Sequence, residues 1–223
     1  MPIRKVKGPL AALGVGLIAA CMGAVSLLPT EQILRHPNVH LILFGAWDAL
    51  GESTEWTTLL GDPAFLGRLA EYGNAGATLV ETIAPATPPG ITDDSHIVGA
   101  IEALMASGSL AAPGDEDIYL VFLPPGVRSQ VMVAGGNVNG YHSAAVFGHW
   151  YTYAIVSDHG ADANVVASHE LYEAITDPYL TGVHVKGATF PDNEVADVCE
   201  GDLDVIDSYS VQQVWSVAQA ACQ

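Results

Sequence analysis

Three short apolar runs set the scaffold this chain can adopt: Val39 to Phe44 (VHLILF), Asp117 to Leu123 (DIYLVFL) and Tyr151 to Val156 (YTYAIV). Each is rich in strand formers and long enough for one buried strand. Helical spacing fills the intervals. Glu55 to Tyr72 places Leu59, Leu60, Phe65, Leu66 and Leu69 on one face, with Pro63 starting a second helical piece. Ala84 to Thr92 is rich in Pro and Gly and reads as loop. Asp93, Asp94 and Ser95 offer an N-cap to a helix reaching about Ser107. Gln130 to Val133 reads as a short strand and Gly135 to Gly140 as a turn region. A helix is expected over Asp162 to Thr176, capped near Asp162 or Asn164 and stopped by Pro178. A last helix is expected over Val211 to Ala221. Strands alternating with helices predict an α+β (mixed α/β) layered domain.

The charge balance narrows the function classes. Seven Lys+Arg stand against 25 Asp+Glu in 223 residues. Arg4, Lys5 and Lys7 precede the charge-free apolar stretch Pro9 to Ala20, the layout of a secretory leader. Residues 1–26 are assigned to that leader and residues 27–223 to one domain. Without the leader, four basic residues face 25 acidic ones, a formal charge of −21. Such a surface repels nucleic acid and anionic lipid. Three processing outcomes stay open: lipidation at Cys21 of a lipobox (Ile18 to Cys21), ordinary cleavage after Ala24-Val25-Ser26, and an uncleaved anchor. Contact with a membrane is expected only through such an attachment. Cys199 and Cys222 are the cysteines outside the leader; in an exported chain such a pair is expected to close a disulfide, two buried thiols being the alternative.

The stretch with chemical content is Ser168-His169-Glu170-Leu171-Tyr172-Glu173-Ala174-Ile175-Thr176-Asp177-Pro178. Residues four apart on a helix return to nearly the same face, so His169 and Glu173 project together. H-E-x-x-H helices hold zinc in this way; here a Glu stands in the second position, and carboxylate oxygen is a competent zinc ligand. Glu170 lies beside the pair, where a general base would activate water. A third ligand is required, and Asn193-Glu194-Val195-Ala196-Asp197 follows 20 to 24 residues after Glu173.

The pattern resembles the gluzincin branch of the zincin metallopeptidases. That resemblance implies a zincin-like layered domain with a small mixed sheet and an active-site helix. It also implies Glu194 as the third zinc ligand, Asp197 as the carboxylate orienting His169, and a peptide or peptide-like substrate. A nearer likeness is to bacterial exported proteins carrying Ser-His-Glu-x-x-Glu-Ala-x-Thr-Asp-Pro followed by Glu-[Ile/Val]-x-Asp-x-Cys. Asp117 to Gly126 and Gly140-Tyr141-His142-Ser143 match further segments of that group, so the likeness spans about Val39 to Glu200. A more distant tie runs to plant phosphate-induced, Exordium-like proteins. The metallopeptidase signature has two His and one Glu, whereas here one His would stand with two Glu. The added negative charge lowers the Lewis acidity of the ion and weakens the case for peptidase activity.

Simpler alternatives stand beside these readings. His169, Glu170 and Glu173 would be unremarkable on a solvated helix, but Val165, Val166, Ala167 and Leu171 surround them, and buried charges need partners. Asp177 is expected to brace the Thr176-Asp177-Pro178 turn. Tyr141 and His142, expected in a glycine-flanked loop, are candidates for stabilising an oxyanion; a surface role for that loop is the alternative. His149, His159 and His184 are alternative third ligands, His184 being the nearest in sequence. The acidic run Asp192 to Asp207 suggests calcium but does not fit an EF-hand. The leading expectation is an exported zinc hydrolase. A non-catalytic exported binding protein and a calcium-stabilised domain are the rivals.

Overall fold

The computed structural model describes residues 32–45, 47–134, 138–157, 162–185 and 194–223. The leader with Cys21, and His159, Lys186, Asp192 and Asn193, lie outside the described residues.

A five-stranded sheet has the order β2-β1-β3-β5-β4. Its strands are β1 (Asn38–Leu43), β2 (Thr78–Ile83), β3 (Asp117–Phe122), β4 (Gly140–Phe147) and β5 (His149–Val156). β1 pairs in parallel with β2 and β3, and β3 with β5; β4 closes one edge antiparallel to β5. The three apolar runs are therefore β1, β3 and β5, adjacent at the centre. Their continuous hydrophobicity follows from burial on both faces. Leu41, Leu43, Leu120, Phe122, Ala154 and Val156 belong to one core; Ile42, Phe44, Val121, Tyr151, Tyr153 and Ile155 belong to the other.

The first core is covered by α1 (Ala49–Gly61), α2 (Pro63–Leu66) with the 3-10 turn Gly67–Tyr72, and α5 (Ala163–Thr176). The break between α1 and α2 falls at Asp62, which caps the helix opened by Pro63. The second core is covered by α3 (Asp94–Ser107), capped by Asp93 as expected, and contains Met132 of the short α4 (Gln130–Ala134). The fold is α+β, with helices and a mixed sheet.

Several local expectations are corrected. Gln130 to Val133 is helical rather than a strand. Tyr141 and His142 lie within β4 rather than in a loop. The expected helix over Val211 to Ala221 is replaced by two small antiparallel hairpins, β6 (Leu203–Ile206) with β7 (Tyr209–Gln212), and β8 (Trp215–Ser216) with β9 (Ala221–Cys222). Among the described residues no helix is long and apolar enough to cross a membrane.

α5 positions the site. Asp162 accepts a hydrogen bond from Asn164 N (3.0 Å) and caps its first turn. Asp177 ends it, one residue before Pro178. Every residue from Val165 to Thr176 is buried, because the sheet covers one side of the helix and the β6–β7 hairpin approaches another. Gln212 N of β7 donates to Ser168 Oγ at 2.9 Å.

Candidate metal centre

His169, Glu170 and Glu173 lie fully inside the protein, none more than 1% exposed. Strand β4 approaches them from the sheet. His142 is paired with Ala154 and Gly140 with Val156, both on the α5 face. Strand alternation then sends Tyr141 to the opposite face. Its hydroxyl donates to Asp94 Oδ1 at 2.6 Å, among residues of the second core. Tyr141 is thereby removed from the catalytic candidates, and His142 is brought into the cluster.

The cluster has three overlapping groups whose ligand atoms converge: His169, Glu173 and Asp197; His142, Glu170 and Glu173; His142, Asp177 and Glu194. In the first, His169 Nε2 is 3.2 Å from Glu173 Oε1 and 3.4 Å from Asp197 Oδ1. In the second, His142 Nδ1 is 3.5 Å from Glu173 Oε2 and 3.7 Å from Glu170 Oε2. In the third, His142 Nε2 is 3.8 Å from Glu194 Oε1. The structure thus brings His169 and Glu173 together but places Asp197, not Glu194, third beside them. Glu194 joins His142 and Asp177 instead.

The swap has a local cause. Residues 197–199 form a 3-10 turn that lays Asp197 against α5, and Asp197 N donates to Glu173 Oε1 at 3.2 Å. The Cys199–Cys222 disulfide ties that turn to β9, a strand rather than the expected helix. Asp177 braces its turn as expected, accepting from Gly182 N at 2.6 Å, while its Oδ2 lies 3.6 Å from His184 Nε2. His149 is exposed and faces Asp115 at 3.2 Å, far from this role.

Charge defines the site more sharply than distance. Glu170 is 0% exposed, and neither of its carboxylate oxygens has a hydrogen-bond partner; the same holds for both ring nitrogens of His169. Two imidazoles meet five carboxylates, which leaves an excess of three negative charges even with both rings protonated. Unpaired carboxylates are strongly disfavoured in an interior. Burial opposes a charge on His169, yet Glu173 and Asp197, with Glu170 further off, hold its pKa well above the ordinary value. The cluster therefore favours positive charge, as protons or as a cation.

His142 is oriented by its far nitrogen. Nε2 lies 3.2 Å from the Asp177 carbonyl oxygen, which only accepts, so Nε2 carries the proton of that bond. Nδ1 is left facing Glu170 and Glu173. Backbone-carbonyl anchoring of one imidazole nitrogen is the common way to fix the tautomer of a metal-ligating histidine. Gly140 completes the fit: a Cβ there would sit 2.6 Å from Val166 Cγ1, 2.7 Å from Glu170 Cγ and 2.8 Å from Glu170 Oε1. Sequence reasoning missed both His142 as the pivot of the cluster and Gly140 as its spacer. The only signal was the Gly-Tyr-His-Ser match. Comparison with protein-family models, curated proteins and solved structures finds no match for this chain.

Proposed function

We propose that the protein is an exported, zinc-dependent hydrolase of peptide or peptide-like bonds, with His169, Glu173 and Asp197 as its metal ligands. The observation that carries this reading is the buried Glu170 carboxylate, without a hydrogen bond, beside a His/Glu/Asp group. Ligand atoms about 2.0–2.2 Å from a tetrahedral zinc stand roughly 3.3–3.6 Å apart. The spacings of 3.2 and 3.4 Å around His169 Nε2 fit that edge within about 0.1 Å. A zinc ion there would supply Lewis-acid chemistry, polarising a carbonyl and acidifying water.

The chain supplies the rest. Glu170 accepts a proton from the attacking water and returns it to the leaving amine. Asp197 N holds Glu173 Oε1 in place, and the disulfide holds the turn that carries both Asp197 groups. A histidine in each of the three groups argues for zinc over calcium, which prefers all-oxygen cages. Export is supported by the leader-like N-terminus and the disulfide.

One observation favours a second reading. His142, Glu170, Glu173, Asp177 and Glu194 are all 7% exposed or less, and closed sites are typical of structural metals. A non-catalytic exported binding protein would then keep the ion for stability. Metal content and peptide-library digestion of the purified chain decide between them. The hydrolase reading expects about one bound zinc or more, cleavage products, and loss of cleavage in Glu170→Gln with the zinc on His169, Glu173 and Asp197 retained. Zinc with no cleavage favours the structural reading. No zinc after reconstitution, with Asp197→Ala equal to the parent, rejects both.

A further inference from the structure

Glu173 faces two histidines with two different oxygens. Its Oε1 is 3.2 Å from His169 Nε2, and its Oε2 is 3.5 Å from His142 Nδ1. Two groups share this carboxylate: Asp197 completes one and Glu170 the other. From this juxtaposition we propose that the centre holds two divalent transition-metal ions bridged by Glu173. One ion takes His169 Nε2, Glu173 Oε1 and Asp197 Oδ1; the second takes His142 Nδ1, Glu173 Oε2 and Glu170 Oε2. The inference rests on reading the cluster as a metal centre, and adds a second ion to it.

Three observations converge. A carboxylate whose oxygens each serve one ion spans a metal pair about 3.5–4 Å apart, the separation found in two-metal hydrolytic sites. The His142 Nε2–H bond to the Asp177 carbonyl leaves the Nδ1 lone pair directed at two carboxylates. That arrangement is repulsive for a neutral ring, and a cation between them relieves it as a second ring proton would. Glu170 contributes the third ligand atom from a side chain that is 0% exposed and makes no hydrogen bond. The charge excess agrees: one divalent ion cannot balance five carboxylates, four of them buried, once both rings are neutral ligands, whereas two bring the formal sum within one unit of zero. Glu170 Oε1, which faces Gly140, stays free of the second ion and keeps the proton-accepting role.

The test is a cobalt(II) titration of the metal-stripped full chain. Bound metal is counted by native mass spectrometry and the spins are followed by electron paramagnetic resonance. Two equivalents are expected to bind, with the signal per cobalt falling as the second enters, because the carboxylate bridge couples the ions. His142→Ala and the milder His142→Gln should each retain one equivalent, uncoupled, and Glu170→Gln should weaken the second equivalent at least tenfold. Thermal melts check that the variants fold. One equivalent in the parent, unchanged by His142→Gln, overturns the bridged pair and leaves a single-metal centre standing. Two equivalents with full additive spin intensity overturn the bridge. No cobalt bound by the folded parent overturns the metal reading itself.

Discussion

A methyl group at position 140 would enter the space of Val166 and Glu170, two residues one helical turn apart on α5. Gly140→Ala therefore either pushes the Glu170 carboxylate away from His142 or moves β4 off the helix. Overpacking of this kind costs roughly 1–3 kcal/mol. The expected outcome is a lower denaturation midpoint together with weaker metal binding, measured by chemical denaturation and by metal titration; unchanged values for both would show that the helix yields freely. At this scale, legibility followed periodicity. His169, Glu170 and Glu173 could be placed together because helical spacing is a local property. Glu194 was ranked above Asp197 by resemblance alone, whereas three residues in a 3-10 turn decide which carboxylate reaches α5. His142 was visible as a residue but not as the partner of α5, because its position depends on pairing with β5 and on docking of a distant helix.

Among the elements, the central strands and the three long helical segments were readable, and the edges of the molecule were not. β4 begins Gly-Tyr-His-Ser, and a glycine start suggests a turn; the strand exists because β5 offers it eight cross-strand pairs, from Gly140↔Val156 to Phe147↔His149. Val211 and Val214 are both buried and three apart, which imitates a helical face. The backbone instead reverses at Asp207 and Ser208, both with positive φ, in a two-residue hairpin turn, and again before β9 at Ala220. Tertiary contacts and the Cys199–Cys222 bond override the helix-favouring Ala and Gln residues. That bond closes a loop across 23 residues of sequence, worth about 3 kcal/mol by loop-closure entropy. Cys222→Ser should lower unfolding free energy by about that amount and loosen the Asp197 turn, reducing metal affinity more than a surface substitution of equal thermal cost. Equal metal affinity in the variant would show that the turn is held by packing alone.

Across the whole molecule, a second, partly buried ionic network lies on β1, β2 and β3 and gives the fold its own pH dependence. His40 Nδ1 lies 2.7 Å from Glu81 Oε1 and its Nε2 3.5 Å from Asp117 Oδ1, with Tyr119 stacked on the ring. Burial disfavours charge on His40, but hydrogen bonding to Asp117 and Glu81 outweighs it and raises the pKa above 6.5. Asp117 is held below 3.8: burial works against ionisation, while hydrogen bonds from His40, Gly114 and Asn38 prevail. A raised histidine contributes stability that is complete below 6.5 and lost as pH rises through its folded value. A lowered aspartate contributes stability that is present above 3.8 and lost as pH falls through its folded value. The network should therefore stabilise most between about pH 4 and 6.5. His40→Asn should flatten the upper limb of a stability–pH profile, measured by thermal melts from pH 4 to 9; an unchanged slope above pH 6.5 would exclude His40 as its source.

The burial of α5 on all sides also bears on time rather than on energy. Its polar residues are enclosed by the sheet, by the C-terminal hairpins and by the turn that the bond between 199 and 222 holds. An ion held among groups this enclosed would exchange slowly. Its residence would be tied to how often the hairpin layer lifts from the helix. The disulfide, by limiting that opening, would act as a brake on exchange as much as a brace for the fold.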